Sequence, residues 1–286
     1  MALSVLAVAT GWWRMAVRSD PARIARASVA TPTPSPPTAS PLSGADATLE
    51  GERIVLPHRS EVDVARAVQR LLVSGEAVRC GGGNQPVVAL AFEDGPGPHT
   101  ERTVRLLEER GASATFFLNG TRLGSFGSVL PAILEVGEIG NHGWSHRGLV
   151  GADPDLLTAE VDVLQARLAE IADTPLRLFR PPHYARDEAL DERALSLGLL
   201  TVLSSVDAGD DEAVGPSTVW STLERGIRPG AIVTLRENQE VTQELLPDLL
   251  DLIEERGLHA VTVPELLALD PPSRQQLLDG TCPSGS

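Results

Sequence analysis

Residues 87–118, VVALAFEDGPGPHTERTVRLLEERGASATFFL, contain a complete strand–helix–strand unit. The apolar run at 87–92 has the length of a buried strand, and 100–110 has the apolar spacing of an amphipathic helix that ends at Gly111. A second apolar strand follows at 114–118. Because a helix between two short apolar strands is typical of parallel pairing, this stretch predicts an α/β fold.

The same alternation continues along the chain. Further strands are predicted at 138–141, 178–180, 199–204, 231–235 and 260–263, and further helices at 61–73, 130–136, 154–171, 187–197, 217–225, 245–256 and 264–269. About seven parallel strands with surrounding helices are therefore expected. The pattern fits both an open sheet and a barrel, and both place functional side chains beyond the carboxyl ends of strands.

The composition excludes several classes of function. The 286 residues include 24 basic and 39 acidic side chains, for a formal net charge of −15, which argues against a nucleic-acid partner. All 24 basic residues are arginine. The absence of lysine excludes Schiff-base chemistry and lysine-dependent phosphate loops.

The N-terminal part differs in composition from the rest. Residues 1–30 have the apolar core of a secretion signal or a short membrane anchor, although no positive charge precedes it. Residues 31–44 are rich in Pro, Ser and Thr, which predicts an extended linker. We expect 45–85 to be an extension that packs on the main domain, 86–270 to be that domain, and 271–286 to be a C-terminal tail. This organisation indicates an exported protein of the cell envelope.

Cys80 and Cys282 are the two cysteines of the chain and bracket its globular region. In an oxidising compartment they could form a disulfide, and two free thiols fit the sequence as well. The expected export favours the disulfide.

Charged and imidazole side chains follow five of the predicted strands. They are Glu93 and Asp94, His142 and His146, Arg180, Asp207 and Asp210, and Arg236 and Glu237. Parallel strands bring them to one face of the sheet. Two imidazoles with one carboxylate suit a divalent metal ion, and a second carboxylate such as Glu93 could take a proton from water. The sequence therefore predicts a metal-dependent hydrolytic site.

The ordered motifs of residues 86–269 resemble the polysaccharide deacetylases, carbohydrate esterase family 4. AFEDGPGPHT at 91–100 is similar to the family's Thr-Phe-Asp-Asp-Gly-Pro opening, and NHGWSH at 141–146 to its His-x-x-x-His motif. The remaining matches are FRPPHY at 179–184, VDAGD at 206–210 and VTLREN at 233–238. The resemblance covers roughly two thirds of the chain and implies a distorted (β/α) barrel.

The resemblance implies that Asp94, His142 and His146 bind zinc or a similar divalent ion. Glu93 stands where the family has its catalytic base, and Arg180 would hold that base. The substrate would be an N-acetylated glycan of the peptidoglycan or chitin type.

Further roles are implied around this centre. Asp207 or Asp210 would tune the charge near the base. The backbone amide of His183 or Tyr184 would help to stabilise the oxyanion that forms from an N-acetyl carbonyl.

Two positions depart from the family pattern. Glu93 replaces an aspartate, and Arg236 replaces the histidine that protonates the leaving amine, which an arginine cannot do. Glu93 could act as both base and acid, or His183 could supply the proton; otherwise His183 is a surface residue. The chain is then either an N-deacetylase with reduced activity or a catalytically impaired relative that binds glycan through its metal-containing groove.

Overall fold

The computed structural model describes residues 60–173, 175–211 and 213–283. Eight strands lie in this described part of the chain: β1 (Val87–Gly95), β2 (Ala114–Leu118), β3 (Gly137–Asn141), β4 (Leu178–Phe179), β5 (Leu200–Thr201), β6 (Val206–Asp207), β7 (Ile232–Arg236) and β8 (His259–Val261). All of their pairings are parallel.

Helices follow most strands, as the alternation predicts. They are α1 (Glu61–Leu72), α2 (Thr100–Arg110), α3 (Gly120–Phe126), α4 (Leu130–Val136), α5 (Pro154–Leu157), α6 (Val163–Ala172), α7 (Glu188–Ser196), α8 (Pro216–Gly226), α9 (Glu240–Glu255), α10 (Val263–Leu269) and α11 (Arg274–Asp279). A π-helical turn, Thr158–Asp162, joins α5 to α6. None of the described helices is long and apolar enough to cross a membrane.

The strand order is β5-β4-β3-β2-β1-β7-β6, and β8 pairs with the first residues of β1. The segment before β1 connects the two sides of this curved sheet, because Val78 forms a bridge with Val202 and Cys80 forms one with Ala231. The distorted (β/α) barrel is therefore confirmed. The eighth strand, β6, is absent from the prediction because Val206 is its one apolar residue and the surrounding sequence, SSVDAGD, contains no apolar run.

The two faces of β1 explain why its sequence is apolar throughout. Val88, Leu90 and Phe92 contribute to the core between the sheet and the outer helices, whereas Val87 and Ala89 contribute to the core inside the barrel. All five side chains are fully buried. A strand that is covered on both faces needs a continuous apolar run, in contrast to the alternating pattern of a half-exposed strand.

The ends of the described chain are tied together. Cys80 and Cys282 form a disulfide, with Cα atoms 5.9 Å apart. The Asp270 carboxylate accepts hydrogen bonds from the amides of Gly83 and Asn84. Part of the region predicted as a C-terminal tail is helix α11, which begins with a capping box at Ser273.

The predicted anchor at 1–30 and linker at 31–44 lie outside the described residues, as does the first part of the extension, 45–59. The described part of that extension contains α1, which packs against α10. Helix α9 begins at Glu240, five residues before its predicted start at 245. Its first turn is polar in sequence but carries Thr242 and Gln243 into buried positions near the site.

Candidate metal centre and active site

The carboxyl end of the barrel brings together side chains from five connections. Glu93 and Asp94 end β1, and His142 and His146 follow β3. Arg180 follows β4, Asp210 follows β6, and Arg236 ends β7. The predicted convergence on one face thus arises from the parallel topology, which points every strand toward the same end.

Three side chains have the geometry of a metal-binding set. One donor atom each from Asp94, His142 and His146 lies within 4.8 Å of the others. Asp94 Oδ1 is 3.2 Å from His146 Nε2 and 3.7 Å from His142 Nε2. Tetrahedral ligands about 2.1 Å from zinc are roughly 3.4 Å apart, so these separations fit one ion.

The environment of His142 supports this interpretation. Its Nδ1 lies 2.8 Å from the Arg180 carbonyl oxygen, which can only accept, so Nδ1 carries the proton. Nε2 is then unprotonated, and its lone pair can bind a metal ion. This atom is buried and has no hydrogen-bond partner among the described residues. Burial lowers the pKa of this imidazole well below its ordinary value, and His146 adds to the lowering. A neutral imidazole oriented by a carbonyl is the form that binds metals.

The loop that carries both histidines is held by a residue that sequence reasoning missed. Glu160, on the π-helical turn, accepts hydrogen bonds from the Ser145 amide (2.8 Å) and the Ser145 hydroxyl (2.7 Å). Its carbonyl oxygen also accepts from the Trp144 amide at 2.8 Å. No pattern in the sequence marks this role, because a π-helical turn cannot be read from apolar spacing.

Glu93 lies beside the three metal-ligand candidates, with 5% of its surface exposed. Its Oε2 is 4.0 Å from His142 Nε2 and 3.5 Å from Arg180 Nη1. Burial raises the pKa of the Glu93 carboxyl to about 7, although Arg180 opposes the rise. A carboxyl group with this pKa exchanges protons readily near neutral pH.

Arg180 is fully buried beside Glu93. It donates to the Thr234 hydroxyl at 2.8 Å and to the carbonyl oxygens of Val202 and Leu203, both at 3.3 Å. Its guanidinium also lies 4.1 Å from the centre of the Phe117 ring. A buried charge without partners would lower the stability of the fold, and these contacts supply the partners of the guanidinium. They also direct one guanidinium nitrogen toward Glu93.

Arg236, in place of the expected histidine, is surrounded by carboxylates. Its amide and its Nη1 donate to the two oxygens of Asp210, at 2.7 and 3.2 Å. Asp207 lies 3.8 Å and Asp211 3.5 Å from the guanidinium, and Glu93 also lies 3.8 Å away. Asp211 is absent from the sequence-based site. The guanidinium is therefore paired and carries no proton that it could release near neutral pH.

Glu237 does not contribute to this cluster, although the sequence places it beside Arg236. Its carboxyl group is fully buried against Gly95, and neither oxygen has a hydrogen-bond partner among the described residues. Burial raises the pKa of Glu237 to about 8. Adjacent strand residues point to opposite faces, so only one of the two can face the site.

The segment after β4 places His183 and Tyr184 at the rim. The exposed His183 ring lies 4.6 Å from the His146 ring, centre to centre. The Tyr184 amide donates to the Pro181 carbonyl oxygen, so it is already engaged. Of the two amides expected to contact an oxyanion, that of His183 is the remaining candidate.

Comparison with known proteins agrees with these features. The family model described as polysaccharide deacetylase matches residues 81–202. A chitin deacetylase from Pestalotiopsis sp. is 29% identical over 185 residues, which are 61% of this chain and 61% of that protein. A peptidoglycan-N-acetylglucosamine deacetylase from Bacillus cereus is 31% identical over 193 residues, or 64% of this chain and 89% of that protein. The chain spans about half, 51%, of a second chitin deacetylase, from Arthroderma benhamiae.

Solved structures share the fold. A peptidoglycan N-acetylglucosamine deacetylase bound to an N-oxidanyl-benzamide superposes with a TM-score of 0.64 at 24% identity, over 70% of this chain and 97% of that one. A family 4 carbohydrate esterase pseudoenzyme from Bacillus anthracis superposes with a TM-score of 0.61 at 23% identity, over 68% of this chain and 69% of that one. Together with the sequence matches, these findings show that the chain belongs to the polysaccharide deacetylase family, carbohydrate esterase family 4.

Proposed function

We propose that this protein is an exported, metal-dependent hydrolase that removes N-acetyl groups from a peptidoglycan- or chitin-like glycan. The observation that carries the proposal is the donor set of Asp94, His142 and His146, with His142 Nε2 buried and unpartnered within the described residues. Relatives named as chitin and peptidoglycan deacetylases support the choice of reaction and substrate class.

Asp94, His142 and His146 would hold the metal ion, which is zinc in this proposal because two imidazoles and a carboxylate are a ligand set of catalytic zinc. When bound, the ion would supply electrophilic activation of the N-acetyl carbonyl group and of a water molecule. Asp94 adopts a left-handed backbone conformation, with φ of 69°. This conformation turns its side chain from the strand direction toward the two histidines.

Glu93 is the proposed base. It would take a proton from the attacking water as the new carbon–oxygen bond forms at the carbonyl carbon. The carbon–nitrogen bond then breaks, and Glu93 would return the proton to the leaving nitrogen, so that the products are acetate and a free amine on the sugar. One carboxyl group would serve both steps because Glu93 lies beside the metal-ligand set and Arg236 cannot donate a proton.

Positioning residues complete the proposal. Arg180 would hold the Glu93 carboxylate, and Asp210 with Asp207 would keep Arg236 in place beside it. The amide of His183 would donate a hydrogen bond to the oxyanion.

An alternative is a catalytically impaired member that binds glycan without turnover. The arrangement around Arg236 favours this binding role, because Arg236 occupies the position of the family's acid and is paired with the Asp210 carboxylate. Glu93 adds a methylene relative to aspartate, and a displacement of about 1 Å can cost roughly 10²-fold in rate.

Metal content and acetate release from N-acetylglucosamine oligomers test both candidates on the purified protein. Bound zinc with acetate release supports the hydrolase. Bound zinc without release supports the binding module, and the double variant Glu93→Asp/Arg236→His should then gain activity. A protein that binds no metal under saturating zinc would contradict both, and His142→Ala provides the matched metal-free control.

Export is part of the same proposal. The signal- or anchor-like composition of 1–30 and the disulfide between Cys80 and Cys282 both favour an oxidising compartment outside the cytoplasm. Cell fractionation of the native host, with detection by antibody, tests it: the protein should be found in the envelope or medium, and a cytoplasmic location would contradict the proposal.

A further inference from the structure

We propose that Arg122 makes this site selective for an N-acetylhexosamine that carries a carboxylate close to its acetamido group, an inference that rests on the proposed glycan function. Arg122 lies in the first turn of α3 and lines a cavity of about 290 Å³. The metal-ligand candidates Asp94 and His146 line the same cavity. A group bound by Arg122 would therefore sit next to the reacting acetamido group.

Two guanidinium groups line this cavity, and they differ in their ion pairs and hydrogen bonds. Arg236 is paired with Asp210 and lies near Asp207 and Asp211. In contrast, no hydrogen bond or ion pair from the described residues engages the half-buried Arg122 side chain. Its charge acts on Glu237 only at longer range, where it lowers the pKa of that buried carboxyl. Arg122 is thus the positive charge that remains available to a ligand.

The rest of the lining suits a sugar. Amide side chains (Asn119, Asn238, Gln239) and hydroxyl side chains (Thr121, Ser145) account for most of it. Asp94 is the one carboxylate among the described lining residues, and it belongs to the metal-ligand set. An anion that approaches Arg122 therefore meets hydrogen-bonding groups and, among the described lining residues, a single carboxylate, whose charge the proposed metal ion would neutralise.

The size of the cavity restricts where the carboxylate is attached. About 300 Å³ is the lower end of the range for small-molecule sites, which suits one sugar ring better than a long segment. A guanidinium binds a carboxylate through two parallel hydrogen bonds. An ether-linked lactate on the carbon next to the acetamido carbon, as in N-acetylmuramic acid, meets this requirement. Chitin has no such group and would leave Arg122 unused.

Calorimetric titration of the zinc-loaded full chain tests the inference without requiring turnover. The probes are the disaccharide of N-acetylglucosamine and N-acetylmuramic acid, and the same disaccharide with its carboxylate converted to a methyl amide. We expect the acid to bind about tenfold more tightly than the amide, the usual scale for a charge-assisted hydrogen bond. In Arg122→Gln the ratio of the two affinities should fall to about one, because the charge that favours the acid over the amide has been removed.

Arg167→Gln is the matched control, because Arg167 is an exposed arginine that pairs with Glu170 outside this cavity. It should keep the wild-type ratio. Equal binding of the two probes by the wild type, or an unchanged ratio in Arg122→Gln, would overturn this inference and leave the proposed function standing. Failure of the wild type to bind either probe or a chitin oligomer would overturn both.

Discussion

Replacement of Glu160 by alanine should weaken metal binding although Glu160 is not a ligand. The carboxylate accepts two hydrogen bonds from Ser145, between the two histidines of the metal-ligand set. Hydrogen bonds to a charged group contribute about 1.5–3 kcal/mol each, but the exposed Ser145 can exchange both for water. We therefore expect a loss of unfolding free energy of about 2 kcal/mol.

The larger effect should be on the geometry of the donor atoms. Loss of an interaction that orients metal ligands typically lowers metal affinity by about 10- to 100-fold. Zinc affinity, measured by competition with a chromophoric chelator, should fall by this factor in Glu160→Ala. Glu160→Gln should recover most of the affinity, because its amide oxygen can still accept from the Ser145 amide.

A matched control lies on the same π-helical turn. Asp162 binds Arg193 instead of the histidine loop, with Arg193 Nε 2.7 Å from its carboxylate. Asp162→Ala should lose only the small contribution of a partly exposed ion pair, about 0.2–1 kcal/mol, with unchanged zinc affinity. A folded Glu160→Ala protein that binds zinc as tightly as the wild type, or an equal loss of zinc affinity in Asp162→Ala, would contradict the supporting role of Glu160.

Three further predictions concern stability. Reduction of the bond between Cys80 and Cys282, which are 202 residues apart, should lower the unfolding free energy by roughly 5 kcal/mol in urea titrations; a change below ~1 kcal/mol would contradict the chain-entropy estimate. Burial raises the pKa of Glu138 to about 7 from an ordinary 4.5. The contribution of Glu138 to stability is therefore lost as pH rises from about 4.5 through 7. Glu138→Gln should raise the melting temperature at pH 8 but not at pH 4. Equal shifts at both pH values would show that another group is responsible. A Cβ atom at Gly137 would lie 1.9 Å from a carbonyl oxygen of β2, so Gly137→Ala should destabilise the protein by about 1–3 kcal/mol. Gly124 has open space around it, so Gly124→Ala should not destabilise it. Equal melting temperatures of the two variants would contradict this packing.

The candidate site shows where sequence reasoning reaches its limit. Asp94, His142 and His146 were predictable as neighbours because each follows a parallel strand, and parallel strands end on one face. The sequence could not show that Glu237 turns away from Arg236, nor that Asp211 approaches it. Those outcomes depend on side-chain directions and loop paths that no local pattern encodes.

The alternation of strands and helices, the acidic, lysine-free composition and the order of the motif residues can all be read from the sequence. These properties are local, because apolar spacing and turn residues act within one or two turns of chain. Three features require the folded barrel: β6 adds an eighth strand, Glu160 supports the histidine loop, and no hydrogen bond or ion pair from the described residues engages the Arg122 side chain. Each of these depends on contacts between segments that are distant in sequence, and such contacts exist only once the barrel has formed.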